Sequence, residues 1–501
     1  MTPPFVHLDV AARRAEATPD RPAVLWRGSW LDYRTLNQRA ERLAGRLHEL
    51  GVHKGDRVSI LAHNHIAHLD LILATAKTGV VYAPLNVRLA AAELKAIAEN
   101  LGPSLLLHDA DHGAAAAATG ATLVPLEGYD AWLGDPGPAP RPPLTLEDPQ
   151  MILLTGGTSG LPKGAVQPYR QGIANAAATV LSWGMRDDDS CVQATPCFHA
   201  AVNAMTVPLL HLGARVALLE RFDPESYLSM VEEAGATLLF LVPTMYQMVA
   251  DHPRFASTDL SSVRWAISGG AACPDPVRQA FATRGVRFKQ GYGLTEAGVN
   301  CFAIELDDAV HHPGAVGAPV LGSEAVVRRP DGRACDPDEV GELTLRGPHL
   351  FSGYFGRPEA TREALRDGWL WTGDLATRDD EGRFTIVGRR KELFISGGEN
   401  VYPAEIEAAL HDHPEVASCA VVGVPDRRWG EVGLMAVVAR PGASLDPEAL
   451  RGWLRERLAR YKVPKHVRIL GALPTSGAGK ILKTELAQEF AAAHGAEEEN
   501  R

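Results

Sequence analysis

The sequence predicts an α/β fold with more than one domain. Helix-period and strand-like stretches alternate along most of the chain, which is the pattern of layered α/β domains. Its 501 residues exceed what one simple core organises. A short apolar run, Met151 to Leu154, reads as the end of a buried strand that feeds a loop of glycines and hydroxyls.

Composition narrows the function classes. A hydrophobic content of 46% and a charged content of 22% are ordinary for a soluble globular protein. The net charge of −11 argues against a general nucleic-acid or anionic-membrane surface. No run of about 18 apolar residues suggests a membrane span. The start of the chain leads into Asp9, Arg13 and Arg14 rather than a basic-plus-apolar leader. Six cysteines, at 191, 197, 273, 301, 335 and 419, form no CxxC pair, which fits reduced thiols in a cytoplasmic protein without structural zinc.

In chain order, Leu36, Ala40, Leu43 and Leu47 recur at helical spacing, and Gly51 and Gly55 close that helix. Residues 57–62 read as a strand, 69–77 as a helix, 80–83 as a strand, 90–100 as a helix and 104–108 as a strand. The alanine run 114–118 reads as a surface helix without a chemical role, and the proline-rich 134–143 as a loop between subdomains. A helix over 171–183 follows the glycine loop, then a strand at 216–219, a helix at 224–234 and a strand at 237–242. Residues 265–271 are a strand running into small residues, where a flat ligand can lie against the backbone. From 341 to 384 the chain is strand-rich, with turns at Asp367-Gly368 and Glu381-Gly382. Residues 404–410 are amphipathic, and 418–424 and 433–438 are strands. Pro447 opens a helix to 458 capped by Asp446. Residues 497–501 are polar and are predicted without structure.

The loop itself reads Thr155-Gly-Gly-Thr-Ser-Gly-Leu-Pro-Lys-Gly164. Gly156, Gly157 and Gly160 let backbone N–H groups converge on one point, and Thr155, Thr158, Ser159 and Lys163 add hydroxyls and a positive charge. Phosphate oxygens suit such a loop. It is not the GxxxxGK[ST] loop, because Gly164 and Ala165 follow the lysine. A glycine-rich surface turn is the bland alternative. The companions decide: Gly291-Tyr-Gly-Leu-Thr-Glu296, Thr372-Gly-Asp374, Gly388-Arg-Arg-Lys-Glu392 and Gly477-Ala-Gly-Lys480. In that order and spacing they resemble the adenylate-forming superfamily over about residues 10 to 490. The run from Phe394 to Pro403 and Trp429-Gly-Glu431 look like its free-standing acyl-CoA synthetases, the acid–CoA ligase branch.

The resemblance implies a large multi-layer α/β N-terminal domain over 1–387, a hinge at 388–391 and a small mobile α+β C-terminal domain over 392–501. It implies an enzyme that uses ATP and Mg2+ to convert a carboxylic acid into an acyl adenylate, releasing pyrophosphate, and then transfers the acyl group to CoA. The partners are then small molecules, with no nucleic acid and no membrane, for a cytoplasmic monomer or homodimer. By the same resemblance, Gly269, Gly270, Ala271, Tyr292, Gly293 and Ile386 border the nucleotide together with the 155–164 loop. Thr295 reaches a phosphate, Glu296 holds magnesium, Asp374 accepts from the ribose hydroxyls and Arg389 contacts the nucleotide. Lys480 is the adenylation lysine, and Lys391 is the pivot of the hinge. His199, Ala200, Ala201, Asn203, Met245, Tyr246, Gly270, Val299 and Asn300 surround the acid. Gly397 and Gly398 line a pantetheine channel, and Trp429, Arg88 and Lys465 are further CoA candidates.

Each assignment has a plain alternative: a core histidine for His199, a turn aspartate for Asp374, and solvated charges for Glu296, Lys480, Arg88 and Lys465. Two departures from the family pattern are Gly156, where many relatives carry serine, and Val463, where some CoA ligases carry a basic residue. Two other functions stay open at this point. One is an adenylating enzyme that hands the acid to a carrier protein or an amine, or activates another oxyanion, without CoA. The other is a nucleotide-binding protein without catalysis. Small residues beside Asn203 and Asn300 suit a compact or partly polar acid, aromatic acids included, better than a long alkyl chain.

Overall fold

Short strands, many of them apolar and buried, alternate with helices along the chain. The computed structural model describes residues 8–155, 162–426, 428–475 and 481–498. They fall into two compact units. Unit one comprises Met1–Cys273, Phe281–Ala325 and Leu345–Leu370; unit two comprises Pro274–Ala280, Val326–Thr344 and Trp371–Arg501.

Unit one holds two seven-stranded sheets. In the first, Phe288–Gln290, Trp265–Ser268, Leu238–Leu241, Ser190–Gln193, Arg215–Leu218 and Pro22–Trp26 lie parallel, and Ser29–Asp32 closes the edge as a hairpin. Runs such as Leu-Leu-Phe-Leu are apolar throughout because helices cover both faces of a parallel sheet. The second sheet runs Gly353–Tyr354, Lys163–Pro168, Pro149–Thr155, Val81–Tyr82, Arg57–Leu61, Leu105–His108 and Leu123–Pro125. Its first two pairings are antiparallel and the others parallel.

The helices obey the periodicity of the sequence. Tyr33–Glu49 turns Leu36, Ala40, Leu43 and Leu47 into the core, and the Asp32 carboxylate caps it by accepting from Thr35 N–H at 2.7 Å. Ile66–Thr78 is apolar almost all round and is buried almost all round. Its one buried ammonium, Lys77, donates to Asp9, Asn37 and Glu41 at 2.8, 2.7 and 2.9 Å. The alanine run forms Gly113–Ala117, and Ala116 is fully buried, so that helix is a packing element and not wholly a surface one.

Unit two is built on a sheet ordered Glu399–Val401, Phe394–Ser396, Gly430–Ala439 and Val416–Asp426, with His466–Ile469 parallel to Gly430–Ala439. Pro403–His411 and Pro447–Arg455 supply Ile406, Leu410, Leu450 and Leu454 to its core. Asp446 caps the latter helix by accepting from Ala449 N–H at 2.7 Å. Residues 497 and 498, predicted without structure, belong to the helix Lys483–Glu498, whose Leu486 and Phe490 are buried. Apolar anchors early in that helix extend order into a polar tail. Among the described residues, no helix is long and apolar enough to cross a membrane.

Candidate active site

In unit one the parallel strands Leu238–Leu241, Trp265–Ser268 and Phe288–Gln290 end side by side. Their carboxyl ends deliver Met245, Gly269 to Ala271, and Tyr292 to Glu296, which is where open α/β sheets place ligands. Gly270 and Ala271 are exposed there, and Gly270 has φ +86°, a conformation glycine adopts without strain. Gly293 lies so close to Val299 that any Cβ would collide with its backbone. Val299 itself holds φ +73°, an outlier for a β-branched residue. Such strain persists only where the surroundings over-determine it.

Those surroundings are a set of buried amides. Gln171, Asn175 and Thr179 stand at i, i+4 and i+8 on the helix Tyr169–Ser182, one above the other. Gln171 Nε2 and Gln167 Nε2 both donate to the Thr295 carbonyl at 3.0 Å. Asn175 Nδ2 donates to the Asn203 carbonyl at 2.9 Å, and its Oδ1 accepts from Asn300 N–H at 3.3 Å. Asn300 Nδ2 donates to Thr179 Oγ1 at 2.8 Å and to the Ala204 carbonyl at 2.9 Å. Asn203 Nδ2 donates to Gln167 Oε1 at 2.9 Å. All six side chains are at most 5% exposed, so each bond is made in a low-dielectric interior.

The structure also joins the glycine loop to the magnesium candidate. Thr155 Oγ1 donates to the Lys163 carbonyl at 3.2 Å, closing the base of the loop. Lys163 Nζ lies 4.9 Å from the Tyr354 ring centre, and the Tyr354 hydroxyl donates to Glu296 Oε1 at 2.8 Å. Burial, then the Glu296 charge, holds that hydroxyl far above the ordinary tyrosine range, so it stays a donor. Phe351 N–H donates to the Glu296 carbonyl at 2.8 Å, fixing the turn from the other side. Gly156, Gly157, Thr158, Ser159 and Gly160 lie outside the described residues.

The acid candidates divide. His199 and Ala200 stand at the start of the turn Ala200–Asn203, with the His199 ring centre 4.6 Å from that of Phe198. Met245 is half-buried. Tyr246 is not brought to the site. It faces inward on the helix Pro243–Asp251, fully buried against Phe281 and Phe288, and its hydroxyl donates to the Ile267 carbonyl at 3.1 Å.

In unit two, Asp374 and Arg389 are cross-strand partners, with Arg389 Nε 3.1 Å from Asp374 Oδ1. Ile386 lies half-buried on the same strand pair. Gly373 N–H donates to Glu342 Oε1 at 3.1 Å, and Arg390 pairs with Glu342 at 3.0 Å. Lys391 is exposed in the turn that follows. Gly397 and Gly398, at φ +63° and +91°, form the hairpin between Phe394–Ser396 and Glu399–Val401. Gly397 N–H donates to the Trp429 carbonyl at 2.8 Å, and a Cβ on Gly397 would meet the Trp429 ring at 2.6 Å. Lys465 Nζ lies 5.1 Å from that ring and 3.1 Å from Asp426. Four CoA candidates thus gather in unit two, whereas Arg88 is an exposed residue of unit one.

Lys480 lies outside the described residues; Thr475 and Ile481, on either side of 476–480, pair in an antiparallel bridge. Just beyond, Lys483 donates to Glu392 at 2.8 Å and lies 2.7 Å from Glu407. Sequence reasoning missed Lys483, Tyr354 and the amides at 167, 171 and 175. The helical spacing of 171, 175 and 179 was a signal that could have found the last group.

Comparisons with known proteins show the family. The model of the AMP-binding enzyme family matches residues 11–355, and that of the AMP-binding enzyme C-terminal domain matches 405–480. Feruloyl-CoA synthase of Amycolatopsis sp is 43% identical over 482 residues, 95% of this chain and 98% of that protein. Indoleacetate–CoA ligase of Aromatoleum aromaticum is 35% identical over 491 residues, 95% and 96% of the two chains. The o-succinylbenzoate coenzyme A synthetase of Bacillus subtilis, in complex with ATP and magnesium ion, superposes with a TM-score of 0.87 at 28% identity, covering 95% of this chain and 99% of that one. The chain belongs to the AMP-binding enzyme family, in its acid–CoA ligase branch. Its activity is ATP-dependent acid–CoA ligation: a carboxylic acid is activated as an acyl adenylate and passed to CoA.

Proposed function

We propose that this ligase activates a compact aromatic acid, with recognition assigned to unit one and acceptor chemistry to unit two. The observation that carries the substrate class is the buried amide frame. Asn203 and Asn300 are fixed by Gln167, Asn175 and Thr179, and Asn203 shares a turn with the small residues Ala200 and Ala201. A space bounded by fixed, mutually bonded amides has a set shape, which suits a short, rigid acid better than a long flexible chain. The names of two relatives, feruloyl-CoA synthase and indoleacetate–CoA ligase, support this reading with aryl acids.

In the first step a carboxylate oxygen attacks the α-phosphorus of ATP, an O–P bond forms and pyrophosphate leaves. Both reactants are anions, so positioned cations matter most. Lys480 bridges carboxylate and α-phosphate, the 155–164 loop with Lys163 holds the departing pyrophosphate, and His199 lies beside the carboxylate. Tyr292 and Gly269 to Ala271 receive the adenine, Thr295 a phosphate, and Asp374 with Arg389 the ribose. Glu296 suits magnesium, because its described partner is the neutral Tyr354 hydroxyl and it forms no ion pair among the described residues. Bound there, the ion supplies positive charge to phosphate oxygens.

In the second step the CoA thiol attacks the carbonyl carbon, a C–S bond forms and the C–O bond to AMP breaks. Lys480 and the thiol cannot share one approach, so residues 392–501 turn about Lys391 in the hinge at 388–391 and present Gly397 and Gly398 to the pantetheine arm. Trp429, Lys465 and Arg88 meet CoA. The tie from Lys483 to Glu392 supports a small domain that begins directly after the pivot. The cytoplasm is the proposed setting.

The test is AMP and thioester formation across aryl, short-chain and long-chain acids, with and without CoA. Aryl acids are expected to turn over fastest, with a thioester that requires CoA. A long-chain preference would overturn the substrate class, and pyrophosphate release without any thioester would move the acceptor to a carrier protein or an amine.

A further inference from the structure

A second site stands apart from the ligase machinery, in the other sheet of unit one. The strand Arg57–Leu61 has Val81–Tyr82 on one side and Leu105–His108 on the other, all parallel. The chain leaves Arg57–Leu61 in one direction and returns across it to Leu105–His108. That makes the gap between these two strands a topological switch point, where the carboxyl ends open a crevice that takes ligands in parallel α/β sheets. Three metal-binding side chains emerge there: His63 after the first strand, Asp109 after the second, and His112 in the turn Ala110–His112.

Their ligand atoms all lie within 4.8 Å of one another, and all three residues are half-buried. Asp109 is oriented by backbone: Oδ2 accepts from His63 N–H at 2.9 Å, and Oδ1 accepts from His112 N–H at 3.2 Å. Its Oδ1 also lies 2.5 Å from His112 Nδ1. The His63 ring makes no hydrogen bond among the described residues, so both its nitrogens are available. The His63 and His112 ring centres are 5.2 Å apart. Two imidazoles sharing one tetrahedral ion at about 2.1 Å place their ring centres roughly 5 Å apart. Arg221, whose charge reaches His63, is paired with Asp111 and thereby partly neutralised.

We propose that His63, Asp109 and His112 form a binding site for a first-row divalent transition-metal ion, zinc being the type ion. Two imidazoles and one carboxylate select such ions over magnesium and calcium, which favour all-oxygen shells. The ion takes the place of the proton between His112 and Asp109; that proton leaves Nδ1 through solvent and the neutral ring carries its hydrogen on Nε2 instead. No cysteine takes part, so cysteine spacing gives no hint of the site.

The test is calorimetric titration of the full-length protein with zinc chloride, repeated on His63→Gln and on Asp109→Asn, which keeps the capping oxygen. Cobalt(II) absorption serves as a second readout of the coordination sphere. The wild-type protein is expected to take up one ion that each variant binds at least about tenfold more weakly. The cobalt band should be lost in His63→Gln, while acid–CoA ligase activity without zinc stays at the wild-type level. A wild-type isotherm or cobalt spectrum indistinguishable from that of His63→Gln would overturn the site, as would uptake of no ion at all.

Discussion

The two units hold their functional groups by different means. In unit one, the backbone that carries Thr295, Glu296, Val299 and Asn300 is tied to one helix and the strand before it by amides that are almost wholly buried. In unit two, Asp374, Lys465 and the turn around Lys391 are held by charge pairs with at least one partly exposed member, such as Arg389 at 46%. A buried amide left unmade costs about 1–3 kcal/mol, whereas an exposed ion pair contributes about 0–1 kcal/mol. The first device fixes a shape that must recognise one acid. The second lets groups change partners between two chemical steps.

The largest effect expected from this division is at Lys480. Lys480→Ala should slow adenylation about 100- to 1000-fold, the scale of losing one positioned charge donor. Thioester formation from a supplied acyl adenylate should persist, and rapid-quench assays of the two steps would separate these outcomes. Equal loss of both would break the division.

Acid should affect unit one next. Burial holds His65, His68 and His349 down to about 3, about 4 and about 4, and all three lie in unit one. Between about pH 4 and 6.5 these rings are neutral when folded and protonated when unfolded, so the unfolded state binds more protons. Stability therefore rises with pH across that window and is lost as pH falls through it, by roughly 3 kcal/mol for His68. Melting curves from pH 7 to 4.5 should show a falling midpoint, flattened in His68→Gln; an unchanged slope would remove His68 from the account.

Breaking the amide frame should cost a similar amount. Asn175→Leu leaves the Asn203 carbonyl and the Asn300 N–H unpaired in the interior, at about 2–4 kcal/mol. The acid KM should rise while the CoA KM stays put, which steady-state kinetics would check. In unit two, Lys483→Met should cost only about 1–2 kcal/mol, because Glu407 keeps its bond from Val421 N–H. Thermal unfolding would measure it, and a cost above that of Asn175→Leu would reverse the contrast.

Motifs made the family and the candidates for the site legible in advance, and periodicity made most of the layered fold so. Glu296, Asp374, Lys163 and Gly397 could be read because short strings of turn glycines and charges surround them. Tyr354 could not, because its partner Glu296 is 58 residues away and tertiary contacts, strand pairing at Lys163–Pro168 among them, bring the two together. Tyr246 was placed around the acid by resemblance, yet its helical phase turns the ring into an aromatic core. Gln171 and Asn175 look like ordinary polar positions until tertiary packing buries them. The short hairpin Pro22–Trp26 with Ser29–Asp32 and the helix Val10–Ala17 are too short for periodicity to reveal them.

The most direct measurement is on Gly397→Ala, which places a Cβ against the Trp429 ring at a backbone of φ +63°. Pyrophosphate release and thioester formation would be followed together with an aryl acid, ATP and CoA. In a single turnover, pyrophosphate release is expected at near the wild-type rate, leaving the acyl adenylate on the enzyme, while thioester formation falls at least about tenfold. A parallel fall in both steps, or an unimpaired thioester rate, would contradict the assignment of recognition to one unit and acceptor chemistry to the other.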